Sequence, residues 1–140
     1  MEIVQTRAAP KTRNWLNMID LKSTAFSHHI QVVKPGKIHA QLQGRLLDKH
    51  SGMKLYADLE LALAKEKNAH VLLDFNNLDY INSEGLNTLI RCLSLTRKKG
   101  GELWITQANQ LLNSLFLSTR LSDLFASIDT PKTWLELPHD

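Results

Sequence analysis

Covalent cross-links and membrane segments are missing from this 140-residue sequence. Cys92 is its only cysteine, so no intrachain disulfide can form and a reducing compartment suits the chain. No window reaches the roughly 18 consecutive apolar residues of a membrane span. The first four residues lead into a polar segment and do not resemble a signal peptide. We therefore expect a cytoplasmic protein without membrane insertion.

An excess of one charge is also missing. The formal net charge is only +3, and the basic residues are spread along the chain. The one short basic run, residues 97–99, falls at a predicted helix end, where cations interact favourably with the helix dipole. Proteins that bind nucleic acids show a basic face or stripe instead. We therefore expect no nucleic-acid partner.

The usual motifs of catalysis and metal binding are absent as well. The sequence has no GxxxxGK[ST] phosphate loop, no GxGxxG, no HExxH and no CxxC. Its six histidines show no ligand spacing, and Cys92 is expected on the flank of a helix as a half-buried apolar group. We predict that the protein is not an enzyme and has no catalytic residue, cofactor or metal.

What the sequence does contain is a regular succession of strand and helix patterns from His28 onward. Residues 1–27 are interpreted as an N-terminal extension, with scattered charges and a weak helical pattern at Trp15, Met18 and Ile19. This extension either docks on the domain or stays mobile. Residues 28–140 are long enough for one domain with one sizeable core.

Strand, helix and turn signals alternate through that domain. A Pro-Gly turn joins two predicted strands at residues 30–33 and 37–42, and a loop is expected to begin at Gly44. The other expected elements are a helix ending at Asn68, a strand at 71–75, a polar link at Asn76-Asn77, a helix ending before Gly100, a strand at 103–105, a helix around 111–116, a short strand within 124–128 and a last helix with Pro131 in its first turn. The order ββαβαβα, then βα, predicts an α/β fold with a mixed, mostly parallel sheet of four to five strands and amphipathic helices.

The stretch YINSEGL, residues 80–86, lies where the central strand gives way to the clearest helix. Asn82 and Ser83 are both suitable N-caps, because their side-chain oxygens accept hydrogen bonds from free first-turn N–H groups. Alternatively, Ser83 is an exposed hydroxyl that becomes modified, since partner sites gather where parallel strands meet helix N-termini. A phosphate on Ser83 would be stabilised there by the helix dipole. The residues alone leave both interpretations open.

A leucine is expected on the outer side of the same helix. Leu95 lies opposite the predicted core stripe, on the side that carries Glu84, Thr88 and Arg91. A single exposed leucine is common in soluble proteins. Beside the helix start at Ser83, it predicts part of a docking patch.

Several motifs together resemble a STAS domain, the fold of bacterial anti-sigma factor antagonists. The motifs are the apolar strand at residues 71–75 followed by NSEGL at 82–86, the strand GGELWI at 100–105, and LSTRLSDLF at 117–125. The resemblance implies that Ser83 is phosphorylated by a partner that is both anti-sigma factor and serine kinase. It also implies that the unmodified protein binds this partner and frees the sigma factor, and that a PP2C-type phosphatase resets the switch.

The sequence departs from the family pattern at three positions. Asn82 replaces the usual Asp, Glu84 replaces the second Ser or Thr, and Arg120 stands where the family often has Gly. Asn82 alters the surroundings of the hydroxyl, and Glu84 adds a fixed negative charge beside it. The residues expected to contact the partner are Asn82, Ser83, Glu84, Gly85, Asn87, Thr88, Arg91 and Leu95.

A second interpretation keeps the docking face without the switch. STAS-like domains also serve as small subunits of lipid-transport ABC complexes and as signalling scaffolds. A divergent motif such as NSEG is compatible with that role. The two interpretations differ in partner: a kinase-like regulator for the switch, and a membrane-associated ATPase for the transporter.

Overall fold

The computed structural model describes residues 25–138. Most of the expected N-terminal extension, including the helical pattern at Trp15, Met18 and Ile19, therefore lies outside the described residues. The elements are β1 Ser27–Lys34, β2 Lys37–Leu46, α1 Lys49–Leu63, β3 His70–Ile81, α2 Ser83–Lys98, β4 Glu102–Thr106, α3 Gln110–Ser118, a 3-10 turn Leu121–Asp123, β5 Ala126–Ser127 and α4 Pro131–Leu135.

The sheet has five strands in the spatial order β1-β2-β3-β4-β5. β1 runs antiparallel to β2 after the turn at Gly36, whose φ of 81° favours glycine. The other neighbouring strands are parallel, as crossover helices require. The predicted fold class, the order of elements and the mostly parallel sheet are confirmed.

Two strands are longer than the sequence predicts. The expected loop at Gly44 and the expected polar link at Asn76-Asn77 are both wrong, because these residues lie inside β2 and β3. Glycine and asparagine are turn signals locally, but Gly44 pairs with Leu78 and Asn77 with Gln43, so the pairing of β2 with β3 continues past them, while Asn76 lies at a register shift. Gly44 has a φ of 89°, and the β2–β3 register shifts on both sides of it. The strands therefore bend at these residues and continue to the edge of the sheet where α1 and α2 begin.

The helix α1 is shorter than predicted. It ends at Leu63, and Asn68 lies in the following turn with a left-handed φ of 49°. Asparagine is one of the few residues that adopts this conformation readily, so it still marks the reversal of the chain into β3.

The hydrophobic core lies on one face of the sheet, under α1, α2 and α3. Alternate residues of the central strands point into it and pack against the buried leucines of α1. Phe75 of β3 contacts Phe116 of α3, with ring centroids 6.1 Å apart. This packing places the N-termini of α1 and α2 side by side at the carboxyl edge of the sheet.

The opposite face of the sheet is covered in part by α4. Trp134 is buried there, with its ring 5.9 Å from the His39 ring. Lys37, fully buried at the start of β2, donates hydrogen bonds to the carbonyl oxygens of Trp134, Leu135 and Leu137. One lysine side chain therefore bonds carbonyl oxygens at and just after the end of α4, where the helix leaves some of them without an intrahelical donor.

Asp48 begins α1 and gives a testable pH dependence. Its carboxylate accepts a hydrogen bond from the Ser51 N–H at 2.8 Å, and this bond holds the pKa of Asp48 below its usual 3.8. Because the folded pKa is the lower one, the stabilisation is complete above about pH 4 and is lost as the pH falls through the folded pKa.

Replacing the carboxylate by an amide tests this linkage. Asp48→Asn keeps an oxygen acceptor at the cap but does not titrate. We expect its urea midpoint to fall less than that of the wild type between about pH 5 and pH 2. Parallel pH profiles for the two proteins would contradict the linkage.

Candidate functional site

Asn82 is the N-cap of α2. Its side-chain oxygen accepts a hydrogen bond from the Gly85 N–H at 3.1 Å, and its side-chain nitrogen donates to the carbonyl oxygen of Leu47 at 2.9 Å. The second bond ties the start of α2 to the loop that leads into α1. An aspartate carboxylate could cap the helix but could not donate to Leu47. The departure from the family pattern at this position therefore has a structural consequence.

Ser83 is the first residue of α2 and is exposed. Its hydroxyl forms no hydrogen bond to any of the residues 25–138. The capping bond is made by Asn82 instead. Of the two N-caps that the sequence offers, the structure therefore uses Asn82, and Ser83 does not cap the helix. The hydroxyl lies at a helix N-terminus, where the dipole stabilises added negative charge.

Gly85 is buried in the first turn of α2 and is therefore not a surface residue. A Cβ at this position would lie 2.6 Å from the Leu46 carbonyl oxygen and 2.9 Å from the Ile81 Cβ. This burial leaves Gly85 little surface for the predicted contact with a partner. Its role is to let the first turn of α2 lie directly against the end of β2.

The side of α2 that faces α1 differs from the expectation. Leu95 is only 6% exposed and belongs to the hydrophobic core, so the prediction of an exposed leucine is wrong. Thr88 is also buried, and its hydroxyl donates to the Glu84 carbonyl oxygen. Both residues lie on the flank of α2 that α1 covers, since a Cβ on Gly52 of α1 would meet the Thr88 hydroxyl. Leu95 is therefore absent from the predicted docking patch, and Thr88 keeps only a small exposed surface, in the groove between the two helices.

An open groove of about 260 Å³ remains between the outer surfaces of the two helices. We call it the interhelix groove; it is lined by Lys49, Met53, Glu84, Asn87, Thr88, Ile90 and Arg91. Asn87, Glu84 and Arg91, which the sequence nominated, are exposed and lie together here. Lys49 and Met53 of α1 were missed, although their i, i+4 spacing places them on one helix face.

The cations of the groove are held in different ways. The Arg91 guanidinium lies over the Tyr56 ring of α1, 5.1 Å from its centroid. Within residues 25–138, neither Arg91 nor Lys49 nor Glu84 forms an ion pair. The groove therefore presents two cations and one carboxylate that have no ion-pair partner among these residues.

Cys92 of α2 lies in the hydrophobic core and does not line the groove. It is fully buried rather than half-buried as predicted, and burial raises the pKa of its thiol to about 12. The neutral thiol acts as a small apolar group in the core. Among the described residues, no three His, Cys, Asp or Glu side chains are arranged to hold a metal ion, and no helix combines the length and apolar content needed to cross a bilayer.

Arg120, the third departure from the family pattern, occupies a left-handed conformation. Its φ is 61°, at the turn between α3 and the 3-10 turn that follows. Glycine adopts this conformation without steric cost, which explains why glycine is common at this position. The arginine keeps the turn and adds an exposed cation to it.

Two substitutions distinguish the structural role of the N-cap Asn82 from that of its neighbour Ser83. Asn82→Ala removes both the capping acceptor and the donor to Leu47, and we expect it to lower the free energy of unfolding by about 1–2 kcal/mol. Ser83→Ala removes no hydrogen bond, and we expect a change within about 0.5 kcal/mol. Urea unfolding measures both, and Asn82→Asp, which keeps only the cap, should fall between them. Equal losses in Ser83→Ala and Asn82→Ala would show that Ser83 also supports the helix start.

A five-stranded mixed sheet, with an exposed serine at the helix start after its central strand, defines a small α/β domain. Residues 33–126 match the profile of the family described as "Mlab, STAS domain". The chain belongs to the STAS-domain family, which confirms the resemblance seen in its motifs.

Similar proteins include several bacterial antagonists. An anti-sigma F factor antagonist of Paenibacillus polymyxa is 26% identical over 80 residues, which are 57% of this chain and 68% of that protein. The crystal structure of an anti-sigma factor antagonist from Mycobacterium paratuberculosis has a TM-score of 0.65 at 15% identity, over 80% of this chain and 92% of that one. The Bacillus cell fate determinant SpoIIAA in its phosphorylated form has a TM-score of 0.62 at 13% identity, over 79% of this chain and 97% of that one. At these identities, the two structural matches show a common fold.

Proposed function

We propose that this protein is a cytoplasmic anti-sigma factor antagonist that binds an anti-sigma factor/serine kinase while Ser83 is unmodified and is released when Ser83 is phosphorylated. The observation that carries the proposal is the exposed Ser83 hydroxyl at the first position of α2, with the cap supplied by Asn82 instead. The similarity to an anti-sigma F factor antagonist supports the kind of partner. A PP2C-type phosphatase would restore the binding form.

The electrostatics of the site support this direction of the switch. A phosphate adds about −1.5 to −2 charges to a surface that the partner must desolvate. Glu84 already contributes one negative charge at the next residue, and it is exposed. A phosphorylated Ser83 would therefore concentrate negative charge at one edge of the contact surface while the helix N-terminus keeps the domain folded.

Partner capture on four forms of the full chain tests the proposal. The baits are the wild type, Ser83→Ala, Ser83→Asp and the control Ser94→Asp, which places the same charge on another exposed residue of α2. We expect a kinase-like anti-sigma factor on the wild type, Ser83→Ala and Ser94→Asp, and its loss from Ser83→Asp. With ATP, the captured kinase should phosphorylate the wild type and leave Ser83→Ala unmodified.

A docking subunit without a switch is the second candidate function. The matching family profile is described as "Mlab, STAS domain" rather than as an antagonist family, and Asn82 and Glu84 depart from the antagonist motif. On this alternative, the domain is a subunit of a lipid-transport ABC complex or a signalling scaffold. Equal capture of the same partner by wild type and Ser83→Asp, with a membrane-associated ATPase among the proteins held, would favour it over the antagonist.

A further inference from the structure

We infer that the interhelix groove receives an amphipathic segment of the anti-sigma factor/serine kinase, which lays an apolar side chain on Met53 and a carboxylate against Arg91. The inference rests on the proposed function for the class of partner. It extends the contact surface from α2 to α1, whose Lys49 and Met53 take part in no motif of the sequence.

The shape of the groove follows from a close approach of the two helices. Gly52 lacks the Cβ that would collide with Thr88, so α1 and α2 approach each other closely. The interhelix groove lies above that contact. Met53 lines the interhelix groove, and its side chain is 54% exposed. A methionine side chain adapts to different apolar partners, because it is unbranched and polarisable. Met53 and Ile90 therefore form the apolar part of the interhelix groove.

The charges around the apolar part of the interhelix groove favour a partner segment with acidic side chains. The Arg91 guanidinium lies over the Tyr56 ring at one end of the interhelix groove. Lys49 lies in the first turn of α1. Since neither cation is paired within the part of the chain that the structure describes, both are free to meet carboxylates of the partner. Glu84 disfavours a carboxylate close to the start of α2. The arrangement places the partner's strongest acidic contact at Arg91 and gives the segment a direction.

The same arrangement couples the groove to Ser83. Asn82 is hydrogen-bonded to Leu47, two residues before Lys49, so a phosphate on Ser83 enters the electrostatic field of Lys49. The phosphate attracts this cation and repels an incoming carboxylate. Phosphorylation then weakens the groove contact as well as the contact at Ser83 itself.

Matched pairs of substitutions on the full chain test the inference. Met53→Ala is compared with Leu61→Ala, an exposed apolar residue of α1 outside the groove, and Arg91→Glu with Lys54→Glu, an exposed cation of α1 outside the groove. Each variant is titrated with the purified kinase that the wild type captures, and circular dichroism checks that each is folded. We expect Met53→Ala and Arg91→Glu to weaken binding about tenfold or more, and the two controls to stay within about twofold.

The outcomes separate this inference from the proposed function. If Ser83→Asp weakens binding while Met53→Ala and Arg91→Glu bind like their controls, the groove is not the contact and the inference is wrong, although the proposed function stands. If Ser83→Asp binds the kinase as tightly as the wild type, the proposed function is wrong, and the groove variants decide the inference on their own. Retention of a transporter ATPase in place of a kinase would overturn the occupant named here.

Discussion

Gly85→Ala is expected to lower the free energy of unfolding by about 3 kcal/mol, the upper end of the usual cost of overpacking. The added Cβ would lie 2.6 Å from the Leu46 carbonyl oxygen, a backbone atom at the end of β2. Relief requires α2 to move away from the sheet, because a backbone carbonyl cannot rotate aside as a side chain does. That movement would also displace Ser83, two residues earlier in the same turn.

A second glycine supplies the control for this prediction. At Gly52 an added Cβ would meet the Thr88 side chain instead, with the hydroxyl as the nearest atom. The hydroxyl can turn away at the cost of its bond to the Glu84 carbonyl oxygen, so we expect Gly52→Ala to cost about 1 kcal/mol. Adding Thr88→Ala should recover part of that loss, whereas no side-chain substitution should rescue Gly85→Ala.

Urea unfolding of the four proteins gives the comparison. A Gly85→Ala midpoint close to that of the wild type would mean that the start of α2 shifts at little cost. It would also mean that the contact between Gly85 and the end of β2 does not hold Ser83 in a fixed position. Ala is otherwise the better helix former by about 1 kcal/mol, so any loss observed understates the steric term.

Lys37→Met is expected to lower the free energy of unfolding by about 2–3 kcal/mol. The lysine is fully buried, and its ammonium donates to three carbonyl oxygens at distances of 3.0, 3.2 and 2.6 Å. Methionine has a similar length but no donor, so the Leu135 and Leu137 carbonyls lose this partner, while the Trp134 carbonyl keeps the Leu137 N–H. The burial that makes this contact dry also lowers the pKa of Lys37, and Lys34 nearby lowers it further.

An exposed lysine of the same hairpin provides the comparison for Lys37. Lys34→Met alters the same residue type at an exposed position, and we expect a change within about 0.5 kcal/mol. Urea midpoints measure both substitutions, and amide hydrogen exchange at residues 135–137 reports whether the end of α4 opens locally. An unchanged midpoint together with unchanged exchange in Lys37→Met would show that the lysine does not hold α4.

The periodicity of the sequence was sufficient for the architecture. The alternation of short apolar runs with amphipathic helices depends on neighbours within one element, and it predicted the order of elements and the parallel sheet correctly. The same local pattern placed Ser83 at a helix start. Strand ends were predicted less well, because Gly44 and Asn77 are turn signals that the pairing of β2 with β3 overrides.

The tertiary structure alone decided which residues of the site are accessible. Leu95 and Thr88 lie off the stripe that faces the sheet, and only the approach of α1, distant in sequence, buries them. The choice of Asn82 over Ser83 as the cap depends likewise on the carbonyl of Leu47, which a helical pattern does not contain. Lys37 was not nominated for the same reason, since its three acceptors lie about a hundred residues further along the chain. The sequence by itself determined the elements and the serine, through interactions that repeat every two to four residues. The groove, the cap and the buried lysine arise from contacts between elements, and only the folded chain brings those together.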